Sequence, residues 1–318
     1  MQTRRKLASL SVAALTVAVI LAACGEREEP AAGGSGGQAA ERVAARFDER
    51  RAFADLRAQV ELGERPAGSA ANQRLVALLA RRLRDAGVQN VAIQRPNRNV
   101  VGTIPGSQPG AIVLGAHHDT KDRIPGLFVG ANDGASGVAV VLELARALPD
   151  RVDGPAIEIA LFDAEEARGD RPFTEDGSRG SDQYVRYSAA GGKQGSPPLD
   201  EIDAMVLFDL VGDCELQIPR EDNSDGALYD RFRDAALQLD PEGDGEPFVG
   251  ETSSILDDHI PFAEAGTPAV DLIDFTYGPG GSPGAYWHTD EDDLEHVCPQ
   301  SLAAVGRPAL VALTTWTP

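Results

Sequence analysis

The chain has 318 residues, with 50 acidic and 29 basic side chains and a formal charge of −21 at pH 7. That excess argues against nucleic acid as a partner, because such binders need Lys/Arg patches that displace phosphate counterions. A hydrophobic fraction of 42% with 25% charged residues excludes wholesale disorder, and the length supports a sizeable core.

In chain order, the basic start Met1-Gln2-Thr3-Arg4-Arg5-Lys6 precedes an uncharged run over 7–23. This run is short for a membrane span and suits the core of a signal peptide, residues 1–23. It ends Leu21-Ala22-Ala23-Cys24-Gly25, which resembles a bacterial lipoprotein processing site. There the cysteine, Cys24, is lipidated and becomes the mature N-terminus; without lipidation the chain would be secreted. Residues 25–41 are polar, rich in Gly and Ala, and lack apolar periodicity, so 24–41 reads as a flexible tether. Anchor and tether imply a catalytic or binding domain over 42–318, held outside the cytoplasm at the bacterial cell membrane.

Apolar residues recur at helical spacing over 43–62 and again over 75–83, where Leu75, Leu78, Leu79 and Leu83 share a face and Gly87 is a C-cap candidate. Short apolar runs over 111–116, 156–162, 204–210 and 269–273 read as buried strands. Helical stretches over 135–148, 226–239 and 301–315 separate or follow them. The alternation predicts a single α/β domain with a mostly parallel central sheet flanked by helices. Cys214 and Cys298 lie outside any CxxC pair, so a cysteine zinc site is not expected, while a disulfide and two free thiols both stay open.

Ligands of open α/β sheets bind beyond the carboxyl ends of the strands, and the polar residues of this chain cluster there. The first of the four strands ends at His117-His118-Asp119, and the turn Gly130-Ala131-Asn132-Asp133-Gly134 precedes the helix from Ala135. The next strand ends at Asp163-Ala164-Glu165-Glu166, and another at Asp209. Asp257-Asp258-His259 opens a short helix, and Trp287-His288-Thr289 lies in a loop before the last helix. Each has an ordinary explanation: Asn-Asp-Gly makes turns, and Asp pairs cap helices. Their joint placement does not. Carboxylates and imidazoles on separate loops, with no thiolate, suit a catalytic zinc that keeps an open coordination position.

The motifs GAHHD, VGANDGASG, LELARAL, FDAEEA, DDHIPF and WHT, in this order over about 64–302, resemble the zinc aminopeptidase superfamily that includes the glutaminyl-peptide cyclotransferases. Asp257-Asp258-His259-Ile260-Pro261-Phe262 and Trp287-His288-Thr289 lean toward the glutaminyl cyclases. The resemblance implies that Asp133, Glu166 and His288 hold one zinc ion, and that Glu165 is the general acid/base. It further implies that Asp209 and Asp257 share a hydrogen-bond network with Glu165, and that Trp287 walls the substrate pocket. In the related aminopeptidases, the positions of His117 and Asp209 hold a second zinc, with Asp133 bridging. Two functions follow as expectations: cyclisation of an N-terminal glutamine on peptides or proteins with release of ammonia, or removal of N-terminal residues. A non-catalytic binding lipoprotein is the third, and it is expected to have lost ligands that this chain keeps. The chain departs from the animal cyclases in carrying Ala167-Arg168-Gly169-Asp170-Arg171 where they have an aromatic pocket residue, and Leu256 where a polar residue is usual. His259 is expected to be a structural hydrogen-bonding residue near the site. The remaining acids, densest over 290–295, read as solvated surface.

Overall fold

The computed structural model describes residues 35–316, apart from 251 and 253. The signal peptide, Cys24 and the first part of the tether lie outside the described residues. Three helices come first: α1 (Ser35–Ala44), α2 (Glu49–Val60) and α3 (Ala70–Asp85). The strands β1 (Gln89–Ile93), β2 (Val100–Ile104) and β3 (Ala111–His117) follow, then α4 (Ala135–Ala147) and β4 (Ala156–Phe162). Next are α5 (Phe173–Asp176), α6 (Arg179–Ala189), β5 (Ile202–Asp209) and α7 (Gly226–Leu239). The chain closes with α8 (Ile260–Glu264), β6 (Ala269–Ile273) and α9 (Pro299–Thr314).

The six strands form one mixed sheet in the order β1-β2-β4-β3-β5-β6. Neighbours from β4 through β6 pair parallel, as the four buried apolar runs predicted. The antiparallel edge made by β1 and β2 was not legible from pattern. β1 is a half-exposed edge strand, and Gly102 interrupts the apolar run of β2, so neither shows a strong periodicity.

Strand parity divides the core into two layers. Ile112, Leu114, Ile157, Ile159, Val206, Phe208, Val270 and Leu272 face the larger layer, which is covered by α2, α3, α4, α7 and α9. Val113, Ala160, Phe162, Met205 and Leu207 face the smaller one, where Tyr184 of α6 and Phe262 of α8 pack. The central helix α4 lies close against the sheet. A Cβ added at Gly137 would sit 1.9 Å from the Phe208 carbonyl oxygen, so only glycine permits this approach.

Two expectations about the N-terminal helices need correction. The apolar pattern over 43–62 is broken after Ala44 because Asp48 caps a new helix, accepting the Arg50 and Arg51 amides at 3.0 and 3.1 Å. α1 also starts at Ser35, inside the stretch expected to be tether, because Ala40 and Ala44 are buried in the core. Gly87 ends α3 as foreseen, in the left-handed position of a Schellman turn. Its amide donates to Arg84 O, and that of Val88 to Leu83 O, both at 3.0 Å.

Candidate metal centre

The chain runs from β3 to β4 on one side, then returns past β3 to β5 on the other. This reversal opens a crevice at the carboxyl end of β3. His117 ends β3 and Asp209 ends β5, and their parity puts both on the same face of the sheet. Asp133 lies in the turn before α4, whose N-cap, Gly134, takes a left-handed φ of 86°. Glu165 and Glu166 follow β4 through Ala164 at φ 63°, and His288, itself at φ 54°, enters from the loop before α9. Such backbone costs free energy, and its concentration around these side chains is the usual mark of a functional site.

Asp133 is shared by two triads. His117, Asp133 and Asp209 form one, Asp133, Glu166 and His288 the other, and within each triad the ligand atoms lie within 4.8 Å of one another. His117 Nε2 is 3.2 Å from Asp133 and 3.3 Å from Asp209. His288 Nε2 is 3.4 Å from Asp133 and 3.0 Å from Glu166. All the carboxylates are buried, and they line a cavity of about 390 Å³.

Electrostatics tests whether this group suits a cation. Burial opposes a charge on His117, but Asp209, with Asp119 and Asp133 beside it, raises its pKa well above the ordinary imidazole value. Burial likewise opposes a charge on His288, yet Asp133 and Glu166 push its pKa up to about 10. Asp133 is held far below the carboxylate range, the two imidazoles overriding its burial. The carboxylates therefore demand positive charge at the two triads. A divalent cation would supply it and leave both imidazoles neutral, as ligation requires. Nitrogen and oxygen donors without sulfur suit a borderline ion of the zinc type.

The carboxyls that flank the triads behave differently. Burial raises Glu165 well above its ordinary value, helped by Glu166, Asp257 and Asp258 against the opposing charge of His117. Asp257 is raised by burial, then by Asp209 and Asp258. The Asp257-Asp258 pair does not cap α8: His259 occupies that position, with no capping side-chain bond. Asp257 instead lines the cavity, and its Oδ2 is buried with no hydrogen-bond partner among the described residues. Trp287 stacks on His288, ring centroids 3.9 Å apart, and meets Phe275 edge-on at 5.1 Å, so both aromatics line the cavity. Lys121 also lines the cavity; its Nζ lies 3.8 Å from Glu166 and donates to the Ala167 carbonyl. Leu256 is exposed at the cavity's edge.

All eight residues from His117 to His288 given a chemical role above line this one cavity. Sequence reasoning missed the residues that hold them. Asp119 accepts the amides of Glu165 and Glu166 at 3.1 and 3.4 Å. Arg65 is completely buried and clamps the loops bearing His118 and Gly130, donating to those carbonyls at 3.2 and 2.7 Å. Asp292 corrects the reading of 290–295 as solvated surface, because it is completely buried. It accepts the Asn132 and Asp133 amides at 2.7 and 3.0 Å and faces the Tyr277 hydroxyl at 3.1 Å. The only available signal for it was its position four residues after His288. His259 is buried between Glu221 at 3.3 Å and Asp271 at 3.7 Å, in keeping with a structural role.

A model of peptidase family M28 matches residues 99–313. Aminopeptidase YwaD of Bacillus subtilis (strain 168) is 28% identical over 205 residues, covering 62% of this chain and 39% of that protein. The glutaminyl-peptide cyclotransferase of Drosophila melanogaster is 28% identical over 235 residues, covering 66% of this chain and 63% of its own length. The chain thus spans less than two thirds of the length of these curated relatives. The crystal structure of an Acidobacteriales bacterium glutaminyl cyclase superposes with a TM-score of 0.72 at 29% identity, covering 84% of this chain and 94% of that one. With both triads inside the matched residues, the chain belongs to peptidase family M28.

Proposed function

We propose that this protein is a zinc-dependent glutaminyl-peptide cyclotransferase that converts an N-terminal glutamine of peptides or proteins to pyroglutamate. The observation that carries the reading is the acid group beside the triads: Glu165, raised by burial, next to Asp257, whose buried Oδ2 has no hydrogen-bond partner among the described residues. Asp133, Glu166 and His288 would hold the zinc, which when bound supplies Lewis-acid polarisation of the glutamine γ-carbonyl. Asp257 and Asp209 would accept hydrogen bonds from the neutral α-amino group and orient its lone pair. Glu165 would take a proton from the α-amine as its nitrogen bonds to the side-chain carbonyl carbon, Cδ, and return it to the amide nitrogen Nε2, whose bond to Cδ breaks as ammonia leaves. A carboxyl shifted upward suits both halves of that transfer, because its affinity for the proton is closer to that of the groups it serves. Trp287 and Phe275 cover the glutamine side chain and exclude water that would hydrolyse it instead.

An aminopeptidase is the second reading, favoured by the triad of His117 and Asp209 that shares Asp133. In that reaction Glu165 would take its proton from a water. A binding protein without catalysis is disfavoured, because the ligand set and Glu165 are intact. Through Cys24 the enzyme would be lipid-anchored outside the cytoplasm, acting on peptide N-termini there. Among the described residues no helix is long and apolar enough to cross a membrane.

One preparation tests these points together. Full-length protein should partition with membranes, carry one zinc by atomic emission, and release ammonia and pyroglutamate from glutaminyl peptides. Two zincs with free amino acids from aminoacyl amides would replace the cyclase with the peptidase. Glu165→Gln should keep the metal and lose about 100-fold or more in kcat.

A further inference from the structure

Ser254, Ile255, Leu256 and Asp257 are consecutive residues in the wall of the metal cavity, yet they lie in no helix or strand. No ladder fixes their backbone, so its buried groups need partners from side chains. At Ile255 both groups are taken. Its amide donates to Glu221 Oε1 at 2.9 Å, and its carbonyl accepts Asn223 Nδ2 at 2.8 Å. Beyond Asp257, Asp258 Oδ1 accepts the Ser181 hydroxyl of α6 at 2.5 Å. Asp257 therefore stands between two fixed points of an otherwise irregular segment.

The first of those points rests on a buried carboxylate. Glu221 is 1% exposed, and it also accepts the Asn223 amide at 2.9 Å, Asn223 Nδ2 at 2.8 Å and the Ser224 hydroxyl at 3.0 Å. Burial opposes its charge, but His259, 3.3 Å away, and the amides of Ile255 and Asn223 hold its pKa below the ordinary value. It thus stays an acceptor at both oxygens. The loop that bears it is laid along β6: the Asp225 amide donates to Ala269 O at 2.7 Å, and the Asp271 amide to Ser224 Oγ at 2.9 Å. Support therefore runs from the sheet, through Ser224 and Glu221, to the backbone two residues before Asp257. Glu221 itself does not line the cavity, so it acts on the site only through what it holds.

We infer that Glu221 is a positioning residue for the reaction: by holding the Ile255 amide, it sets where Asp257 stands in the metal cavity. The inference rests on the reading of Asp257 as a group that contacts the substrate amine. A double-substitution cycle in zinc-loaded full-length protein tests it, with kcat/KM for a glutaminyl peptide as the readout. Glu221→Ala should lower kcat/KM roughly 10- to 100-fold, as a displacement of about 1 Å at a reacting centre does, while zinc content matches the parent's. Glu221→Gln keeps an oxygen for the Ile255 amide and should stay within about five-fold of the parent. In an Asp257→Asn background the Glu221→Ala loss should shrink to about two-fold or less, because the residue it positions is already disabled. Asn223→Ala removes the partner of the Ile255 carbonyl from an exposed position and should show the same dependence on Asp257. It carries the test if Glu221→Ala does not fold. An equal loss in both backgrounds, a Gln variant as impaired as Ala, loss of zinc, or a fully active Glu221→Ala would overturn the assignment. Asp257→Asn as active as the parent would remove the role of Asp257, and the positioning with it. The product decides the chemistry separately: free glutamine in place of pyroglutamate removes the cyclase, and the cycle is then read on peptide cleavage.

Discussion

Asp292 touches no substrate in the proposed reaction, yet it joins both parts of the ligand set. It accepts the amides of Asn132 and Asp133, and it lies on the same loop as His288. Fixing the backbone under one ligand from the loop of another narrows the positions the triad can adopt before metal arrives. Outer groups of this kind govern affinity because a ligand that must be ordered on binding binds less tightly. Asp292→Ala should weaken zinc binding by about 10- to 100-fold, measured by competition with a chromophoric chelator. An unchanged zinc affinity in a variant that melts like the parent would show that Asp292 serves folding alone. Its sequence context hid it, since a run of acids over 290–295 has no periodicity that marks one member as buried. His117, Asp133, Glu165 and Glu166 were legible because each lies at, or within four residues of, a strand end or helix start.

At the scale of elements, β4 serves two purposes: its end carries the turn to Glu165 and Glu166, and its interior carries a buried charge. Glu158 pairs across to Thr103 of β2, whose hydroxyl donates to it at 2.9 Å, in the smaller core layer near Val113 and Tyr184. Burial pushes its pKa up to about 7, only partly offset by that bond. A raised carboxyl binds its proton more tightly folded than unfolded. The stability it contributes is therefore complete below about pH 4.5 and is lost as pH rises through about 7. Glu158→Gln should remove this loss, leaving the variant about 2–3 kcal/mol more stable than the parent at pH 8. Near pH 4 the gap should close. Urea unfolding at the two pH values checks it, and a gap that does not change with pH would discount the buried charge. The same scale explains the broken first helix, where one capping residue, Asp48, outweighed a continuous apolar pattern.

For the whole molecule, the Cys214–Cys298 disulfide closes a loop across 84 positions and joins the turn after β5 to the start of α9. Beside it, the Gly212 amide donates to Asn132 Oδ1 at 2.6 Å, and the Cys298 amide donates to Gly212 O at 2.9 Å. The bridge thus braces both the loop of Asp133 and the loop after Asp209. Replacing both cysteines by serine should cost about 2–4 kcal/mol in urea unfolding, because the unfolded chain regains the freedom of a long loop. No measurable cost would mean that the hydrogen bonds around it suffice. The sequence by itself determined the four parallel strands, the helices between them and the placement of ligands at strand ends. Those features repeat every two or 3.6 residues, or adjoin such a repeat, so local order reveals them. Only the tertiary structure decided the antiparallel edge, the disulfide, the buried Arg65 and the role of Asp292. Each depends on partners far apart in the chain, as with the 160 positions between Asn132 and Asp292, and no local pattern encodes which distant groups will meet.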